Sequence, residues 1–257
     1  AALTGGFGVA QVAATTCTGY AQGGARVTNA AGVGFAGAAG PMTVPVVTQI
    51  ANHLAAVGGS FSGGEIVYVL AGANDIFVQL GTVGAGAITP ATGVAAVGLA
   101  ADELVALINT QIIAKGATRV VVLNVPDITA TPFGATLAAA SKGLLGSMVD
   151  TFNAQLKAGL AGNAKVLLVD VNTANKDQIN NPAIYGLTNV TAMACDMTVP
   201  IQAPAAFNAT SLVCNTTNVI AGDTSHYLFA DGVHPTPYAH LLIARLVSKE
   251  MAVKGWI

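Results

Sequence analysis

Seven residues near the C-terminus, Phe229-Ala230-Asp231-Gly232-Val233-His234-Pro235, set a carboxylate three positions before a histidine. Gly and Pro punctuate the stretch, so it reads as a loop, and Thr236 to about Val253 reads as the helix that follows. A histidine that moves protons needs a partner to fix its tautomer and steady the imidazolium. Asp-x-x-His supplies both groups from one loop, which makes His234 a candidate general base and Asp231 its orienter. Two further stretches offer hydrogen-bond donors. In Tyr20-Ala21-Gln22-Gly23-Gly24 the paired glycines allow positive φ and close backbone approach to a ligand, and Gly24 is favoured over Gly23 as the donor. In Gly72-Ala73-Asn74-Asp75 the Asn74 amide follows an apolar run. Donors converging on one point make an oxyanion hole, and a base, its orienter and an oxyanion hole imply acyl transfer. Asp75 is expected to organise its loop by hydrogen bonds. His53, His226 and His240 are expected to be solvated or packed.

The elements that must position these groups alternate. Thr43 to Val57 is predicted helical, with Val46, Ile50, Leu54 and Val57 on one face. Ile66–Ala71, Arg119–Val125 and Lys165–Val171 are apolar runs expected as buried parallel strands. Residues 81–90 read as a loop, Ala91 to Ala114 and Ala135 to Leu160 as long helices, and the segment before the Asp-x-x-His loop as irregular. Alternation of this kind argues for a parallel sheet covered on both faces, with ligands bound beyond the carboxyl ends of its strands. Gly72–Asp75 and Pro126–Thr129 both fall at such ends. No repeat or linker interrupts the chain, so one domain spanning 1–257 is expected.

Composition narrows the class. Of 257 residues, 53% are hydrophobic and 9% charged, which is material for a sizeable core and the reverse of a disordered chain. A net charge of -2 gives no footprint for nucleic acid. No uninterrupted apolar run reaches the roughly 18–20 residues of a membrane span. Ala1 follows no basic leader and is read as a processed end. The three cysteines are Cys17, Cys195 and Cys214. A Cys195–Cys214 disulfide would staple the irregular segment and leave Cys17 odd, favouring export. Three reduced, buried cysteines in a cytosolic enzyme are the alternative.

Taken together, these blocks resemble the SGNH (GDSL-type) hydrolases. Gly72-Ala73-Asn74-Asp75 is similar to the Gly-x-Asn-Asp block, Asp231-Gly232-Val233-His234 to the Asp-x-x-His block, and Tyr20–Gly24 to the glycine block, in family order. Asn124–Asp127 and Thr131-Pro132 are similar to a loop of secreted bacterial GDSL lipases and esterases. The resemblance implies a three-layer α/β/α sandwich of the flavodoxin-like kind and an exported bacterial ester or lipid hydrolase, without metal or organic cofactor. It also implies that Asn74 and Gly24 are oxyanion donors, His234 the base and Asp231 its partner.

One block is missing. No Gly-Asp-Ser occurs in the sequence, and no Gly-x-Ser-x-Gly elbow. Gly222-Asp223-Thr224-Ser225 is the nearest string, but Ser225 lies just before Asp231 and follows no strand. The expectation is a serine, and a first strand, on a separate N-terminal fragment bound to this chain, with a disulfide to Cys17 as the expected link. The alternatives are a binding protein that has lost its nucleophile and, if an alcohol replaces water, a lipid acyltransferase.

Overall fold

Strands and helices alternate through the residues that the computed structural model describes, 18–34, 36, 43–198, 211 and 214–257. The expectation about Cys17 falls outside them. In chain order the elements are helix α1 (Val46–Ala56), strand β1 (Val67–Leu70), and helices α2 (Ala73–Gly84) and α3 (Pro90–Leu107), the last continued by a π-helical turn at Ile108–Ile113. Strand β2 (Val120–Leu123), short helix α4 (Pro132–Thr136), helix α5 (Ala139–Leu160), strand β3 (Val166–Val169) and helix α6 (Val171–Asn180) follow. Strands β4 (Asn189–Met193) and β5 (Tyr227–Phe229) and helix α7 (Pro237–Val253) complete the chain. The residues sort into two compact units, one drawn from those up to Leu123 and from Asp150–Leu168, the other from Asn124–Val149 and Val169–Ile257.

In the first unit β1 and β2 run parallel, from Val67 against Val120 to Leu70 against Leu123. The sheet order is β1-β2-β3. Val120 donates to Lys165 and Asn124 to Val169, so β2 and β3 advance in the same direction. β2 is buried throughout, as a Val/Leu run flanked on both sides should be. β1 departs from the expected burial. Tyr68 and Leu70, on one face of β1, are 58% and 61% exposed, and β1 ends the sheet order among the described residues.

α3 is capped by Thr89, whose side chain accepts from Thr92 N–H at 3.2 Å, with Pro90 in the first turn. Val97, Ala101, Leu104 and Ile108 on it are fully buried. By length and composition the Pro90–Ile113 helix could cross a membrane, although Asp102 and Glu103 interrupt its apolar run. Its buried face and the bond from Thr28 Oγ1 to Glu103 at 2.6 Å are those of a core helix. Glycines bring α3 and α5 close. A Cβ on Gly98 would lie 2.6 Å from Gln155 Oε1, and one on Gly159 would lie 2.7 Å from Val105.

In the second unit β4 and β5 pair in parallel, and α7 packs its Ala239 and Leu242 against Leu187, Leu228 and Phe229. The helix expected over Ala135 to Leu160 is two helices. Thr131 caps α4 through Gly134 N–H at 3.1 Å, Pro132 opens it, and the backbone turns extended at Leu137 before α5 begins. The loop read at 81–90 begins later, since α2 continues through Gly84 on the strength of its buried Ile76. α6, β4 and β5 were read as irregular. α6 is polar along its length and is set instead by Asp170, which caps Thr173 N–H at 3.0 Å.

Candidate active site

The first unit holds the proposed donors. α1 has no side-chain cap, because Pro45 stands at its N-cap. Its first N–H groups go instead to the carbonyls of Arg26, at 3.0 Å, and Val27, at 3.1 Å, which strap the glycine stretch to the helix. Gly24 sits there at φ 78, its carbonyl accepting Val33 N–H at 2.9 Å. Its own N–H meets no partner among the described residues. Asn74 stands in the first turn of α2 and gives one amide proton to Ala25 O at 2.8 Å, so the amide keeps a second proton to donate. Asp75 is buried and binds Arg26 Nε at 2.9 Å and Val27 N–H at 3.1 Å. Burial pushes its carboxyl above the ordinary value, against the lowering pull of the Arg26 guanidinium and Val27 N–H. The expected loop-organising role of Asp75 therefore has a physical content that sequence did not give: it ties α2 to the glycine stretch.

The second unit holds the acid–base pair. His234 Nδ1 meets Asp231 Oδ2 at 2.6 Å. Asp231 is sealed, with 1% of its side chain exposed, while 53% of the His234 side chain faces solvent. The opposite oxygen, Asp231 Oδ1, accepts the N–H groups of Val233 at 2.8 Å and His234 at 2.7 Å. Burial alone would raise this carboxyl. The bond from His234, the two N–H groups and the imidazolium charge outweigh it and hold the group at about 2. The loop is staked at both ends. Ala230 N–H donates to His234 O at 2.8 Å, and Thr236 N–H donates to Leu228 O at 3.0 Å. Phe133 N–H of α4 reaches Gly232 O at 2.8 Å. With Nδ1 committed to Asp231, Nε2 is the nitrogen available for proton transfer.

The remaining candidates separate from this chemistry. Ser225 lies in an exposed turn, where Oγ donates to Asp223 at 2.6 Å and sits 3.0 Å from His226 Nδ1. A hydroxyl committed to a neighbouring carboxylate is a turn-former, not an activated nucleophile. Ser141 and Ser147 lie within α5, Ser248 within α7, and Ser60 and Ser62 ahead of β1. His53 is wedged between Tyr20 and Phe61, with ring centroids 5.3 Å and 4.9 Å away. Asp127 caps its own turn through Thr129 N–H at 3.0 Å. A disulfide joins Cys195 and Cys214, with Cα atoms 5.9 Å apart. Among the described residues no cluster of His, Cys, Asp and Glu could hold a metal ion.

One unit thus holds the glycine and asparagine donors and the other the Asp–His pair. Residues 6–247 match the sequence profile of the GDSL-like lipases/acylhydrolases, and the chain belongs to that family. Over 103 residues it is 27% identical to a GDSL esterase/lipase of Arabidopsis thaliana, a stretch covering 40% of this chain. The matched stretch spans 26% of that plant protein's length, about a quarter of it.

Proposed function

We propose that this protein is a carboxylic-ester hydrolase acting through a serine. The observation that carries the reading is the 2.6 Å contact between His234 Nδ1 and the buried Asp231, with the other side of the imidazole open to solvent. In this mechanism a serine Oγ attacks the ester carbonyl and His234 Nε2 takes its proton. The Asn74 amide and the Gly24 N–H receive the charge on the carbonyl oxygen. His234 then returns the proton to the leaving alcohol, and water, activated by the same imidazole, releases the acid. Loss of one oxyanion donor typically lowers kcat by about 10²–10³, the expected effect of Asn74→Ala.

The rest of the reading is finer. The nucleophile is placed on a serine of an N-terminal piece of the same precursor, joined through Cys17 and carrying the first strand of a single three-layer hydrolase domain. Its support is the lack of a Gly-Asp-Ser block here and the commitment of Ser225 to Asp223. Export from a bacterial cell is the proposed location, supported by the disulfide. The substrate is an ester or lipid, and an alcohol in place of water would make the same reaction a transacylation. The missing serine block also favours a second reading, a ligand-binding protein without turnover.

A fluorophosphonate probe followed by reducing and non-reducing gels tests both. Label on a separate small fragment supports the split hydrolase. Label on the 257-residue chain keeps the hydrolase and overturns the fragment. No label on folded protein overturns the hydrolase and leaves the binding protein.

A further inference from the structure

Four hydrogen bonds converge on the Asp231 carboxylate, and one of them comes from far outside its loop. Oδ1 takes the N–H groups of Val233 and His234, and Oδ2 takes His234 Nδ1. The fourth donor is the backbone N–H of Ser211, also to Oδ2 and 20 positions upstream. Asp231 is 1% exposed, so water cannot replace a donor that leaves. A buried carboxylate short of a donor is costly and is held by fewer bonds.

What keeps Ser211 in place is a closed circuit. Cys214 N–H donates to Ser211 O at 3.1 Å. Cys214 is joined by the disulfide to Cys195, and Cys195 N–H donates to Ala230 O at 3.1 Å. Ala230 is the residue before Asp231. The bridge thus fastens the Ser211 turn to the backbone that presents the carboxylate. The Val233 and His234 N–H groups hold Oδ1, and Ser211 N–H joins His234 Nδ1 on Oδ2 as the donor from outside the loop. Its N–H shares Oδ2 with the imidazole, so its presence bears directly on the geometry of the His234–Asp231 bond.

We propose that the Ser211 N–H, held by the Cys195–Cys214 bridge, is a positioning group for the Asp231–His234 pair and makes the geometry of that pair depend on whether the bridge is closed. The inference rests on reading Asp231 and His234 as the acid–base pair. Opening the bridge with a dithiol transfers two electrons, converts the disulfide to two thiols and oxidises the dithiol to a cyclic disulfide. No other bond changes, yet Cys214, whose N–H holds Ser211 O, is then no longer fastened to Cys195.

The test reads geometry rather than turnover, so it does not depend on where the nucleophile lies. The proton of His234 Nδ1 is followed by NMR, with and without dithiothreitol, alongside the exchange rate of the Ser211 amide. Wild type and Ser211→Ala, which keeps the N–H, are expected to share one resonance position. Ser211→Pro, which removes the N–H, and the reduced wild type are expected to displace it. Reduction should also speed exchange of the Ser211 amide by about tenfold or more, as expected when a local opening becomes easier. Circular dichroism confirms that each sample is folded. If Ser211→Pro does not fold, the reduced wild type decides. If reduction unfolds the chain, Ser211→Pro decides. An unmoved resonance in a folded sample lacking the N–H or the bridge overturns the proposal. A displaced resonance in a protein that no fluorophosphonate labels keeps the positioning role while overturning the hydrolase.

Discussion

Asp75 and Arg26 form a buried ion pair, Oδ1 to Nε at 2.9 Å, with 3% and 12% of their side chains exposed. The second carboxylate oxygen takes Val27 N–H at 3.1 Å, so a single side chain serves two donors of the glycine stretch. Asparagine has one acceptor to offer and no charge. Asp75→Asn is expected to lower stability by about 2–3 kcal/mol, because the Arg26 charge is left half-buried and unpaired. Urea unfolding reads that loss. Hydrolysis should fall with it even under conditions where the variant is fully folded, since Gly24 is held through the same pair.

Gly24 is bound to its place by two restrictions. Its φ of 78 belongs to the left-handed region, and a Cβ there would stand 2.4 Å from Val33 O and 2.9 Å from Thr43 Cγ2. Gly24→Ala is therefore expected to cost about 2–3 kcal/mol. Its neighbour is the control. A Cβ on Gly23 meets nothing within 4 Å, and Gly23→Ala should stay within about 0.5 kcal/mol of wild type. Thermal unfolding of the two variants side by side makes the comparison.

Acid stability should report Asp231. Its carboxyl lies at about 2 in the folded chain, below its ordinary 3.8. A group with a depressed folded value stabilises the fold above its unfolded value and loses that contribution as pH falls toward the folded one. Between about pH 4 and pH 2 the wild type should therefore lose roughly 2 kcal/mol that Asp231→Asn does not lose. Asp231→Asn should be the less stable protein at neutral pH and show the flatter curve in acid. Denaturant midpoints measured across that range test the sign and the window.

Gln155 Oε1 is buried without a donor among the described residues, close to Gly98 where α5 meets α3. An unpaired buried oxygen carries its desolvation cost with no return. Gln155→Met keeps the length of the side chain and removes the polar atom. It is expected to raise stability by about 1 kcal/mol, or some 2–4 °C in Tm for a chain of this size.

The parts of the fold that were legible in the sequence are those where one residue type decides the matter. The Val/Leu run of β2, the Thr236-Pro237 start of α7 and the Asp-x-x-His loop each carry their own instruction. The elements that were missed depend on partners elsewhere. α6 is polar and is held by the Asp170 cap, and β5 is three residues long and exists through its pairing with β4. Within the candidate site, Asp231 and His234 were readable because they stand three positions apart on one loop. The Arg26–Asp75 pair bridges 49 positions, and the Ser211 contact is a backbone N–H that any residue except proline could provide. Neither leaves a mark in composition or spacing.

The tie between Phe133 and Gly232 has a bearing on the order in which the chain matures. About a hundred residues lie between the two, and long loops must close before such a contact gives anything back. Gly24, Asn74 and Asp75, by contrast, find their partners within the first 75 residues. The glycine stretch can therefore close on nearby partners early, while the Asp231–His234 loop depends on a contact across about a hundred residues. Until that long-range contact closes, the loop that carries His234 lacks one of its braces.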